Sequence, residues 1–237
     1  MSAIGKRLLL SSAFAACILS ADPAPAADCR LALVLGLDIS SSVDRAEDAL
    51  QRGGVASALL DERVQEAFFA SGLPVALAVF EWSGRYNQEV LMDWRLIHDQ
   101  SDLAVAAETI SNSRRSYAEF PTAMGDALRF AAQMLNRSPR CLAQTIDIAG
   151  DGESNEGEGP QQVYQDAAFD AITVNGLVVA NAADFQTPAR LTQFYREEVL
   201  HGHGSFMIVA EGFNDYARAM RDKLERELAV TVVGALP

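Results

Sequence analysis

Short apolar runs that alternate with helix-like segments are the feature that most constrains the fold of this chain. The clearest run, RLALVLGL at residues 30–37, is nearly continuous in apolar side chains. Such a run is typical of a strand that is buried on both faces, as in a parallel sheet. Five more strands are predicted at residues 75–82, 89–97, 145–149, 172–179 and 205–210.

Segments with helical spacing separate these strands. They are predicted at residues 45–69, 103–110, 123–135, 161–171, 191–199 and 213–228, with Ser101 or Asp102 as the cap of the second. Residues 89–97 interleave polar side chains, as at the edge of a sheet. The alternation predicts an α/β fold with a doubly wound, mostly parallel six-stranded sheet and helices on both faces. The sequence contains no linker or repeat, so we expect a single domain over residues 28–235.

The first residues have the pattern of a secretory signal. Lys6 and Arg7 precede an apolar stretch that is too short to span a membrane, and Ala24-Pro25-Ala26 offers a cleavage site. We therefore expect residues 1–26 to be removed and the protein to be exported, to the periplasm or the medium. A second interpretation is a lipoprotein box that ends at Cys17, which would anchor the chain by a lipid.

The charge balance narrows the choice of partners. The chain has 19 Lys and Arg against 32 Asp and Glu, a formal charge of −13. A strongly acidic surface disfavours nucleic acid and anionic membranes as partners. No apolar run long enough to span a membrane follows the signal. Cations and basic partners suit such a chain better.

Oxygen-bearing side chains follow two of the predicted strands and precede one helix. Asp38, Ser40 and Ser42 alternate after the first strand, so an extended backbone would point all three in one direction. Asp151 follows the fourth strand in a glycine turn, and Thr122 comes directly before a helix, where helix capping is its alternative role. Ligands of open α/β sheets bind beyond the carboxyl ends of the strands. These hard oxygen donors, with no His or Cys among them, suit Mg²⁺, Mn²⁺ or Ca²⁺ and not zinc.

The three segments together resemble the metal-ion-dependent adhesion site of von Willebrand factor type A (vWA) domains. The resemblance rests on LALVLGLDISSSV, FPTAMGDAL and TIDIAGDGESNEG in this order, and it covers nearly the whole chain after the signal. VFEWSG and the closing FNDYARAMRDKL look most like a secreted bacterial branch of unassigned function.

The resemblance implies a set of ligands and a kind of partner. It implies that the metal, directly or through water, is held by Asp38, Ser40, Ser42, Thr122 and Asp151. An acidic side chain of a protein or peptide partner would fill the open metal position. Four further residues are expected at the rim of the site or behind it: Glu81, Trp82, Glu153 and Asn155. Because the first and fourth strands are neighbours in that fold, it also implies a disulfide between Cys29 and Cys141 at the opposite edge of the sheet.

Several alternatives stay open at this point. A metal-assisted hydrolase acting on phosphate or ester substrates would need a general base, for which the sequence offers only Glu81 and Glu153. No nucleophile–base pair, G-x-S-x-G elbow or phosphate loop is present, which favours a binding module over an enzyme. Asp147, inside an apolar strand, is expected to belong to a structural network. His201 and His203 could chelate a soft metal, but a loop or structural role is favoured for them.

Overall fold

The protein is built on a six-stranded sheet whose strands are parallel apart from one at the edge. The structure, a computed structural model, describes residues 26–180 and 187–233. The strands are β1 Cys29–Asp38, β2 Val75–Trp82, β3 Gln88–Ile97, β4 Cys141–Gly150, β5 Ile172–Val179 and β6 Met207–Ala210. Their order across the sheet is β3-β2-β1-β4-β5-β6, and only β3 is antiparallel to its neighbour. The predicted doubly wound α/β fold is therefore confirmed.

Helices cover both faces of this sheet. They are α1 Arg45–Leu59, α2 Glu62–Phe69, α3 Gln100–Asn112, α4 Met124–Leu135, α5 Pro160–Val163, α6 Pro188–Phe194 and α7 Tyr216–Val233. One apolar core lies between the sheet and α1, α2, α3 and α7, and a second lies under α4 and the segment that follows α6. Every residue of β1 is buried, because its side chains alternate between the two cores. This double burial explains its nearly continuous apolar sequence.

Several helix boundaries differ from the prediction. The helix predicted at 45–69 is two helices, because the Asp61 side chain accepts a hydrogen bond from the Arg63 N–H (3.0 Å) and begins α2. Asp99, and neither Ser101 nor Asp102, caps α3.

The prediction of one helix over residues 161–171 is also wrong, because the α-helix there is much shorter. It is reduced to α5 and a 3-10 turn at Ala167–Phe169. Asp166 starts this turn by accepting a hydrogen bond from the Ala168 N–H at 3.0 Å. A side chain that binds the backbone in this way ends the α-helical path.

The strand order places β1 and β4 side by side at the point where the sheet reverses its winding direction. Their register pairs Gly36 with Ile148 and Cys29 with Cys141. The carboxyl ends of both strands therefore open into one crevice, where ligands of doubly wound sheets bind. At the amino ends, Cys29 and Cys141 form a disulfide with a Cα–Cα distance of 4.4 Å, the pairing that the resemblance implied.

The predicted signal at residues 1–26, with Cys17, lies outside the described residues except for Ala26. Within the described ranges, the helices are too short or too polar to cross a membrane.

Candidate metal centre

Two strand ends bring the predicted oxygen donors together. The Ser42 hydroxyl, in the loop after β1, donates a hydrogen bond to Asp151 Oδ1 after β4, at 2.6 Å. The hydroxyls of Ser40 and Ser42 lie 3.1 Å apart. The Asp38 carboxylate stands at the head of the same loop and accepts a hydrogen bond from the Ser40 N–H at 2.7 Å. Two carboxylates and two hydroxyls from distant parts of the chain thus share one crevice.

Thr122 adds a third hydroxyl next to the Asp151 turn. A Cβ placed on Gly152 would lie 3.9 Å from Thr122 Oγ1. Thr122 does not cap α4, because the capping position is Ala123 and no side chain of that residue bonds the helix. The Thr122 N–H instead donates to Asn155 Oδ1 at 2.9 Å. Its hydroxyl is therefore available to the crevice.

The Asp38 carboxylate is fully buried and has no positive charge beside it in the described part of the chain, which makes its ionised form unfavourable. Burial is the main cause that raises its pKa to about 7, and the nearby charge of Asp151 adds to it, while hydrogen bonds from Ser40 oppose the rise. Asp38 Oδ2 has no hydrogen-bond partner among the described residues. A divalent cation between the two carboxylates would satisfy this oxygen and cancel their repulsion, so the donor set fits a hard metal ion.

The residues beneath the candidate metal centre are tightly packed around Gly150. A Cβ on Gly150 would lie 2.9 Å from both Asp38 Oδ2 and the Tyr195 hydroxyl, and 3.5 Å from Trp82 Cζ2. Only glycine therefore fits between these groups. Burial, with the charge of Asp38 as the next cause, raises the pKa of Tyr195 well above its usual value. The phenol thus stays protonated behind the carboxylate. No motif in the sequence points to Tyr195.

A half-buried arginine that the sequence analysis also missed, Arg115, holds the loop after β1. The Arg115 guanidinium donates to the carbonyls of Ile39 (2.6 Å), Ser40 (2.9 Å) and Val43 (2.5 Å). Loop carbonyls satisfied in this way fix the path of the backbone that carries the two serines. Arg115 lies in an irregular segment, and nothing in its local sequence marks this contact.

Two of the four residues expected around the site lie behind it and not at its rim. Glu81 and Trp82 are fully buried. Glu81 forms an ion pair with Arg52 and accepts a hydrogen bond from the Ser116 N–H at 2.7 Å. Its charge is therefore used to anchor α1 and the segment before α4.

The other two lie on the loop after Asp151. Glu153 forms a two-pronged ion pair with Arg190, at 2.7 and 3.0 Å. Asn155 holds Thr122 through its side chain and also donates its own N–H to the Thr122 carbonyl at 2.9 Å. This loop therefore contributes to the positioning of Thr122.

Asp147 and His201 lie in structural networks, as the sequence analysis favoured. Asp147 contacts Lys223 Nζ at 2.6 Å, with both side chains buried. His201 stacks on Tyr164 with ring centroids 4.3 Å apart. Within the described ranges, no three His, Cys, Asp or Glu side chains form a group that could hold a metal. The candidate centre therefore depends on its serine and threonine hydroxyls.

Comparisons with known proteins agree with this architecture. A family model described as "Protein of unknown function (DUF1194)" matches residues 28–232. None of the curated proteins matches the sequence. Among solved structures, a von Willebrand factor type A protein from Catenulispora acidiphila has a TM-score of 0.58 at 17% identity, covering 84% of this chain and 43% of its own.

Two further solved structures share the fold. Proximal thread matrix protein 1 from the mussel byssus, with a zinc-occupied MIDAS motif, has a TM-score of 0.60 at 16% identity and covers 86% of this chain and 48% of its own. The pilus adhesin SpaC from Lactobacillus rhamnosus GG has a TM-score of 0.58 at 14% identity and covers 87% of this chain and 30% of its own. The chain spans less than half of each of these proteins, and the likeness shows the vWA fold.

Proposed function

The chain belongs to the DUF1194 family, and from this premise we propose that it is a divalent-metal-dependent binding module of the vWA type. Its metal ligands are Asp38, Ser40, Ser42, Thr122 and Asp151. The partner is a protein or peptide that offers a carboxylate. The observation that carries the proposal is the meeting of these side chains at the carboxyl ends of β1 and β4, around a buried carboxylate oxygen without a partner.

The donor chemistry explains why a partner would bind. A hard divalent cation takes six or more oxygen ligands, and Mg²⁺ keeps several waters. Five protein side chains that act in part through water leave a position that an acidic side chain can fill. We favour Mg²⁺, with Mn²⁺ and Ca²⁺ as alternatives. Zn²⁺ belongs among the cations tested, because the mussel protein's motif is zinc-occupied.

The ion pairs of Glu81 and Glu153 favour a binding module over a hydrolase. A metal-assisted hydrolase needs a general base within reach of the metal-bound water. Glu81 is buried against Arg52, and Glu153 is held by Arg190. Both carboxylates offered by the sequence as bases are therefore engaged with arginines.

Export fits the same proposal. The disulfide between Cys29 and Cys141 is typical of proteins outside the reducing cytosol. The signal-like residues 1–26 point to the same compartment. A pilus adhesin and a byssal thread protein are among the structural neighbours, which agrees with an extracellular binding role.

Removing the side chain that holds Thr122 should weaken metal binding. We expect Asn155→Ala to lower the Mg²⁺ affinity about tenfold or more, because partners that orient metal ligands typically contribute that much. The measurement is a calorimetric titration with MgCl₂. The exposed Asn136→Ala is the matched control and should bind as the wild type does. Equal affinities in both variants would refute a positioning role for Asn155.

The partner is tested by affinity capture from the native secretome. Immobilised wild-type protein should retain a partner in Mg²⁺ and release it in EDTA. Thr122→Val keeps the shape of the side chain and the hydrogen bonds of the backbone but removes the hydroxyl. It should therefore lose the partner while its melting temperature changes little.

The control is Thr109→Val, an equivalent change at an exposed position of α3. It should capture the partner as the wild type does. If the capture of every partner is indifferent to EDTA and to Thr122→Val, the binding function proposed here is wrong, even for a protein that holds a metal.

A further inference from the structure

A groove opens against the loop after β1, which carries two of the proposed metal ligands. Its volume is about 720 Å³, and its walls are the loop after β1, the start of α1 and the segment between α3 and α4. It begins at Ser41, which lies between two of the proposed ligands. A partner whose acidic side chain fills the open metal position would therefore extend toward this groove.

The groove is held in shape although most of its lining residues lie outside helices and strands. Arg115 ties the segment between α3 and α4 to the loop after β1, and its Nε also donates to the Tyr117 carbonyl at 2.6 Å. Ser41 donates its N–H to the Phe120 carbonyl at 2.8 Å, and Ser113 Oγ accepts from Arg52 at 2.6 Å. A preformed groove binds at a smaller entropic cost than one that must be ordered on binding.

Two arginines on opposite walls of the groove have no carboxylate partner. Ten arginines of the described ranges form ion pairs with Asp or Glu. Arg45 and Arg114 are exposed, and their side chains make neither an ion pair nor a hydrogen bond with the described residues. In a chain with a formal charge of −13, unpaired arginines here are positive charges available to an external anion.

Arg45 does not stabilise the helix in which it lies. It is the first residue of α1, where a positive charge opposes the helix dipole. Its replacement by a neutral residue should therefore not destabilise the protein.

The acidic side chains that line the groove form no ion pair with these two arginines. Asp44 accepts hydrogen bonds from the N–H groups of Ala46 and Glu47 as the cap of α1, and Asp48 is bound to Arg52 at 2.9 Å. Glu119 is the remaining carboxylate on the walls, and it is exposed.

We propose that this groove binds an acidic segment of the partner, with further carboxylates beside the one that completes the metal. The inference rests on the proposed function, because the metal fixes one end of the segment. Arg45 and Arg114 bind the flanking carboxylates. The partner is thus a protein segment with several Asp or Glu residues, in spite of the net negative charge of this chain.

Two fluorescent peptides of equal length test the proposal, one with a single Glu in a Gly-Ser background and one with additional Glu residues around it. With wild-type protein in Mg²⁺, the acidic peptide should bind about tenfold tighter, since two exposed ion pairs contribute up to about fivefold each. Arg45→Gln/Arg114→Gln should reduce this preference to less than about twofold and leave the affinity for the single-Glu peptide unchanged. Raising the salt concentration should reduce the preference in the wild type.

Arg196→Gln is the matched control, because Arg196 is exposed on the opposite face of the sheet and also forms no ion pair with a carboxylate of the described residues. It should keep the full preference. Magnesium-dependent binding with the same preference in the double variant would overturn the groove proposal and leave the binding function standing. Peptide affinities that do not differ between Mg²⁺ and EDTA would overturn the proposed function and the groove with it.

Discussion

Cys29→Ala/Cys141→Ala should lower the free energy of unfolding by about 4 to 5 kcal/mol. The bridge joins residues that are 112 apart in sequence, so it removes much of the freedom of the unfolded chain. Since folded domains are typically stable by about 5 to 15 kcal/mol, this is a large share of the total. Denaturant unfolding of oxidised wild type and of the double variant measures the difference.

The wild type unfolded in the presence of a reductant is the control and should match the double variant. The disulfide lies at the amino ends of β1 and β4, at the edge opposite the metal centre. Cation affinity should therefore stay the same in the double variant. A stability loss below about 1 kcal/mol would show that the bridge does not constrain this chain as proposed.

Lys223→Met should have an effect of similar size for a different reason. Lys223 is fully buried between Asp147 at 2.6 Å and Glu227 at 3.0 Å. Removing it leaves two carboxylates in the core without their counter-charge, which typically costs about 3 to 5 kcal/mol. Denaturant unfolding at neutral pH measures the loss.

The loss should depend on pH in a defined direction. Burial already raises the pKa of Asp147 to about 7, and the removal of Lys223 raises it further. A carboxyl whose pKa is higher in the folded state than in the unfolded state favours folding at low pH, and this contribution is lost as the pH rises. Lowering the pH from about 8 to about 5 should therefore restore part of the stability that the variant has lost.

Arg221→Met serves as the control for this prediction. It removes a half-buried ion pair with Asp222 on the same helix, and it should cost at most about 1 kcal/mol. If both variants lose equally little, the buried network around Lys223 does not contribute to stability as proposed.

The parts of the fold that the sequence predicts are those that a local pattern determines. β1 and β2 are buried on both faces, so their sequences are apolar apart from charged residues near the strand ends. β3 interleaves polar residues because it lies at the edge of the sheet. The proposed ligands could be found because each follows a strand or precedes a helix in a fixed order. Their meeting then follows from the sheet topology.

The parts that could not be predicted depend on contacts between distant residues. Arg115 and Tyr195 reach the centre from segments without a motif, and only the folded chain shows what they contact. Lys223 belongs to a helix whose i,i+4 charge pairs suggest an exposed surface, yet its partner in β4 draws it into the core. The 3-10 turn after α5 is decided by one hydrogen bond of Asp166, which helical spacing does not reveal.

The central claim is that Asp38, with four other oxygen donors, holds a divalent cation. The most direct measurement compares the free energy of unfolding with and without Mg²⁺, in wild type and in Asp38→Ala. A cation that binds only the folded state adds about 2.7 kcal/mol at about 100 times its Kd. We expect this gain in the wild type and none in Asp38→Ala, which stays folded because its removal relieves the repulsion with Asp151. An equal gain from Mg²⁺ in Asp38→Ala would contradict the proposed metal centre.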